Sequence, residues 1–152
     1  MRFETDEQSM HAAIEEARAA SAAGDLPFGA VVVRDGRIIG RGRATDHTTG
    51  DVTDHAEMLA LRAACKAAGT NNLADCTIVC TSEPCNMCAA AIFQAMIPRV
   101  VMGASRSELR AHLRARKLGI DDLAADSGYA ITLRRGVLRD AVLELFAGVP
   151  GS

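Results

Sequence analysis

Four side chains in two short stretches could do chemistry together. "D-H-A-E", residues 54–57, carries His55 and Glu57, and "P-C-N-M-C", residues 84–88, carries Cys85 and Cys88. Two cysteines three positions apart suit a disulfide, a thiol redox pair or half of a metal site. Pro84 favours the first turn of a helix there. At a helix start the backbone N–H groups and the dipole favour thiolates, the form in which cysteine binds zinc. One histidine and two thiolates, with a fourth position open, make the ligand set of a catalytic zinc site rather than a closed structural one. Water in the open position would have its pKa lowered to about 7. A carboxylate beside it can then carry protons, and Glu57 shares the first helical turn with His55.

The surrounding elements follow from pattern. Thr5 and Gln8 form a capping box ahead of Met10, Ile14 and Ala17, which predicts a helix to about Ala23. "A-V-V-V-R-D-G-R-I-I-G", 30–40, is a hairpin turning on Asp35-Gly36. A polar loop over 44–53 leads to an Ala-rich helix over 54–68, stopped by Gly69. Strands are expected at 76–81, 99–103 and 129–133, and helices at 85–95, 107–117 and 138–146. Strands alternating with helices predict a central, mostly parallel sheet covered on both faces.

Composition limits the classes available. The 152 residues fit one domain, 1–152, with 49% hydrophobic and 24% charged residues and a net charge of -2. Aromatic residues are 3% and tryptophan is absent, which argues against a surface that stacks many bases. Met1 and Arg2 precede an acidic stretch, so neither a signal peptide nor a membrane span is expected. Five cysteines, an odd number, then read as reduced thiols in a cytoplasmic protein. Residues 99–117 hold six basic side chains against Glu108 alone. These read more readily as a solvated helix face than as a phosphate contact, so a nucleic-acid partner is not the first expectation.

The H-A-E and P-C-N-M-C motifs resemble the H-x-E…P-C-x-x-C signature of zinc deaminases acting on nucleobases. The element order is similar to the cytidine-deaminase-like fold from about Thr5 to Phe146. This resemblance implies a three-layer α/β/α architecture around a five-stranded mixed sheet, and a homodimer. It implies one Zn2+ on His55, Cys85 and Cys88, with Glu57 as proton shuttle and the backbone at Ala56 near the substrate. Phe28 in "L-P-F-G" and the acid Asp122 in "G-I-D-D" are similar to bacterial guanine deaminases, where Asp122 would match a second acid and Asp121 lie beside it. Ala44 stands where many relatives carry a substrate-binding Asn, with Arg43, Thr45 and Asp46 as candidate replacements. The expected activity is therefore hydrolysis of a small aminoheterocycle, guanine to xanthine and ammonia. Cytosine, adenosine in tRNA and a non-catalytic zinc module are the alternatives.

Overall fold

A computed structural model describes residues 5–151, and the reading of Met1 and Arg2 lies outside them. The elements are α1 (Asp6–Ala22), β1 (Gly29–Arg34), β2 (Arg37–Arg43), α2 (Asp46–Thr49), α3 (Ala56–Ala68), β3 (Cys76–Ser82), α4 (Asn86–Gln94), β4 (Arg99–Ala104), α5 (Ile120–Asp126), β5 (Thr132–Arg134) and α6 (Arg139–Glu144). The capping box opens α1: the Gln8 N–H donates to Thr5 Oγ1 and the Thr5 N–H to Gln8 Oε1, both at 3.1 Å. Asp35 and Gly36 both take positive φ, 51° and 69°, as a type I′ hairpin turn requires.

The sheet order is β2-β1-β3-β4-β5. β1 pairs antiparallel with β2 and β3, and β3, β4 and β5 run parallel. Successive residues point to opposite faces. Ile78, Cys80, Val100 and Met102 pack beneath Ala60, Ile92 and Ile120 of α3, α4 and α5. Val31, Val79 and Val101 pack against Met10 and Ile14 of α1 and Val142 of α6. The result is the expected three layers. Each fully buried aliphatic side chain in them contributes about 1.5–3 kcal/mol.

Helix α3 lies unusually close to β2. A Cβ at Gly42 would sit 2.0 Å from the Ala56 carbonyl oxygen, and one at Gly40 would sit 2.4 Å from that of Ala60. Two glycines therefore let the start of α3, which carries His55 and Glu57, press onto the sheet.

Three expectations change. The helix expected over 107–117 is a run of turns. Ser105 and Glu108 close on each other instead, with the Ser105 N–H donating to Glu108 Oε1 at 2.9 Å, and Arg110 and Arg114 would repel at helical spacing. The last strand spans Thr132–Arg134 rather than 129–133, because the Tyr129 hydroxyl donates to the Ile97 carbonyl at 3.0 Å and holds its segment off the ladder. The loop expected over 44–53 contains a short helix, α2, and a further helix, α5, precedes the last strand. Among the described residues no helix is long and apolar enough to cross a membrane.

Candidate active site

Two helix starts face each other across the carboxyl end of β3. His55 is the N-cap of α3 and Cys85 the N-cap of α4. The Cys88 N–H donates to Cys85 Sγ at 3.5 Å. His55 Nδ1 lies 3.6 Å from Cys85 Sγ and 3.5 Å from Cys88 Sγ, and the three donor atoms lie within 4.8 Å of one another. An ion 2.3 Å from each sulfur and about 2.0–2.1 Å from the nitrogen, in tetrahedral geometry, sets nitrogen–sulfur edges of about 3.5–3.6 Å. Both nitrogen–sulfur edges match a zinc ion held by all three residues.

The charges in the cluster are poised for a cation. The Cys88 thiol and the His55 ring beside Cys85 hold its thiol down at about 3, against the opposing effect of burial. The Cys85 sulfur in turn raises His55. Cys88 is pushed up, first by its bond to Cys85 and then by burial, so one proton is kept within the pair. Glu57 is 7% exposed. Burial, and then the neighbouring Cys85 charge, raise it to about 7. A cation among the sulfurs reverses the Cys85 contribution.

A cavity of about 150 Å3 opens over this cluster. Pockets for drug-sized ligands hold roughly 300–1,000 Å3, so this space is scaled to one heterocycle. Phe28, Ala44, His55, Ala56, Glu57 and Cys85 all line it, and Cys88 is buried beneath. The Phe28 ring packs against Phe146 at 5.4 Å between centroids, tilted by 59°. Asp122 does not line the cavity. It is exposed and accepts the Gly119 N–H at 2.9 Å, capping its own helix, while Asp121 pairs with Arg135 at 2.7 Å.

Other wall residues were not anticipated as a group. Glu83 borders the cavity, its side chain 11% exposed, and Arg135 approaches it at 3.8 Å. A charged residue between a buried strand and Pro84 was the available signal. Of the three candidates to replace the missing Asn, Asp46 alone is in the wall, with its Oδ2 3.9 Å from His55 Nε2. Asp25 sets this position by accepting the His47 and Thr48 N–H groups at 2.9 and 3.1 Å. Arg106 and Leu113 arrive through the irregular segment after β4, where periodicity carries no information.

Residues 3–104 match the family model described as the cytidine and deoxycytidylate deaminase zinc-binding region. The chain belongs to this family. That family's metal is zinc, and the cluster of His55, Cys85 and Cys88 suits it. Among relatives, the chain is 43% identical over 149 residues to the tRNA(Ile)-lysidine synthase of Deinococcus radiodurans, covering 93% of this chain and 25% of that protein. It is 45% identical over 95 residues to the tRNA-specific adenosine deaminase of Agrobacterium fabrum, covering 62% of each. A solved structure from work on A-to-I editing by tRNA:A34 deaminases is 34% identical, covers 90% of this chain and 97% of its own, and superposes with a TM-score of 0.78. The chain thus spans between about a quarter and two thirds of the length of the two curated relatives.

These matches correct the expectation of a guanine-type substrate. Guanine deaminases share the zinc-deaminase family and its fold, but tRNA adenosine deaminases recur among the relatives, and the solved one is covered over 97% of its own length at 34% identity. The placement of Asp122 outside the cavity removes the carboxylate on which the guanine reading leaned. The low expectation of a nucleic-acid partner is revised with it.

Proposed function

We propose that this chain hydrolytically deaminates adenosine within RNA, converting it to inosine with release of ammonia. The observation that carries the chemistry is the buried Glu57 beside the His55–Cys85–Cys88 cluster in the wall of a one-base cavity. The identity to tRNA adenosine deaminases supports the substrate class.

His55 Nδ1 and the Cys85 and Cys88 sulfurs would hold zinc, which would supply the Lewis acidity that lowers the pKa of water to about 7. The chain's own residues do the rest. Glu57 accepts the proton of the attacking water and delivers it to N1 of the purine as the oxygen bonds to C6. It then takes the proton of the new C6 hydroxyl and passes it to the amino nitrogen, so that the C6–N6 bond breaks with ammonia as leaving group. Water is consumed, one carbon–nitrogen bond is exchanged for a carbon–oxygen bond, and Glu57 ends as it began. Phe28, braced by Phe146, supports one face of the base. Ala44 leaves room in the wall, and the Ala56 backbone borders the pocket beside Glu57. Asp46 offers an acceptor where Ala44 has none. The five thiols, free in this structure, accord with action in a reducing cytoplasm.

The test is ammonia release by the zinc-loaded protein from guanine, cytosine, free adenosine and an adenosine-bearing RNA stem-loop. The stem-loop should be the preferred substrate. Turnover of a free base with an inert stem-loop would overturn the reading.

A further inference from the structure

The cavity has one wall with a different character from the rest. Residues 105–117 join β4 to the turn before α5, and two of their side chains, Arg106 and Leu113, face the cavity. Leu109 is buried in the core between them, and His112 stacks on Phe146 at 5.0 Å. These inward residues fix the segment's orientation. The Arg106 Nη2 also donates to the Arg114 carbonyl at 2.8 Å, tying the far end of the segment to the cavity wall.

The outward side carries Arg110, Arg114, Arg116 and Lys117, all exposed. Among the described residues no ion pair engages any of them. Arg99, Arg134, Arg135 and Arg139, by contrast, are each paired with carboxylates. Glu108, the one acid in the stretch, is committed to Arg139 and to Ser105. Four uncompensated cations on one short segment repel one another, and an anion laid across them relieves that repulsion.

Resting on the proposed RNA substrate, we propose that this segment is the docking surface for the RNA backbone next to the target nucleotide. Arg110, Arg114, Arg116 and Lys117 engage phosphates outside the pocket while Arg106 stands in its wall. The contacts are to phosphate, so they position the strand without reading its sequence. The scarcity of aromatic residues fits this division: one base enters beside Phe28, and charge holds its neighbours.

The experiment measures binding rather than turnover. Zinc-loaded protein is titrated against a fluorescent stem-loop RNA across a range of salt, beside a variant carrying Arg110→Ala, Arg114→Ala, Arg116→Ala and Lys117→Ala. For single strands, log K falls with log salt by about 0.7 per phosphate contact, so the variant should lose up to about 3 from that slope and bind at least about tenfold more weakly at low salt. Zinc content and melting temperature report whether it is folded. A second variant with the three arginines changed to lysine should keep most of the slope. Equal affinity and slope in wild type and neutralised variant would overturn the proposal, as would retention on anionic lipid vesicles with no binding to RNA. Charge-dependent RNA binding without inosine formation would support this docking surface and overturn the proposed reaction, which separates the two.

Discussion

A buried carboxylate needs a reason, and among the described residues no ion pair holds Glu57. Structural acids in this chain are treated differently: Asp6 is clamped by Arg99 and Arg134, and Asp25 by the backbone and hydroxyl of Thr48. Glu57 instead borders the cavity next to the metal cluster. Glu57→Gln keeps the shape and removes the proton carrier. It should retain zinc, measured by metal analysis, while kcat falls about 10²–10⁴-fold. Asp122→Ala should behave oppositely. Loss of its cap on α5 costs about 0.5–1 kcal/mol in a denaturant titration, and turnover stays within about twofold. A collapse of kcat in Asp122→Ala would return that residue to the chemistry.

At the scale of elements, the site depends on how closely α3 approaches β2. Gly42→Ala places a methyl group where the Ala56 carbonyl already stands. The helix must then move, at a cost of about 1–3 kcal/mol, and it carries His55 and Glu57 with it. The expected result is a lower unfolding midpoint together with weaker zinc binding. Gly69→Ala is the comparison, because a Cβ there meets no atom within 4 Å and only the left-handed φ of 68° is strained. A Gly42→Ala protein with unchanged zinc affinity would show that the close contact does not position the ligands.

The parts of the molecule legible in the sequence are those where local chemistry and long-range packing agree. The capping box at Thr5, the Asp35-Gly36 hairpin and the two ligand-bearing helix starts are set within a few residues, and each lies where its pattern places it. The cavity wall was less legible. Glu83, Arg106 and Leu113 meet the pocket only because β3 and β4 are neighbours and the segment after β4 folds back, and no spacing rule encodes that return. Asp122 misled because an acid near a helix start serves equally as a cap. The substrate was misjudged for a related reason: short similarities at Phe28 and at 119–122 weighed more than the identity of the whole chain supports.

Acid stability belongs to the whole molecule, since its depressed carboxyls tie distant segments together. Arg99, then Arg134, hold Asp6 below the usual carboxylate range and join α1 to β4 and β5. Burial pushes Asp25 up, but the Thr48 hydroxyl and the Thr48 and His47 N–H groups outweigh it and leave its carboxyl low. A depressed folded pKa contributes stability that is present above the unfolded value of about 3.9 and lost as pH falls through the folded one. The urea midpoint should therefore drop between pH 5 and pH 2. Asp25→Asn should show a smaller drop, from a lower starting midpoint. An equal drop in both proteins would remove Asp25 from the account.

The most direct measurement is inosine formation in an RNA stem-loop by the zinc-loaded protein, read as a one-dalton mass increase of the strand. The account predicts conversion of adenosine to inosine, abolished when zinc is removed and restored when it is returned. An unaltered strand beside rapid release of ammonia from a free base would contradict it.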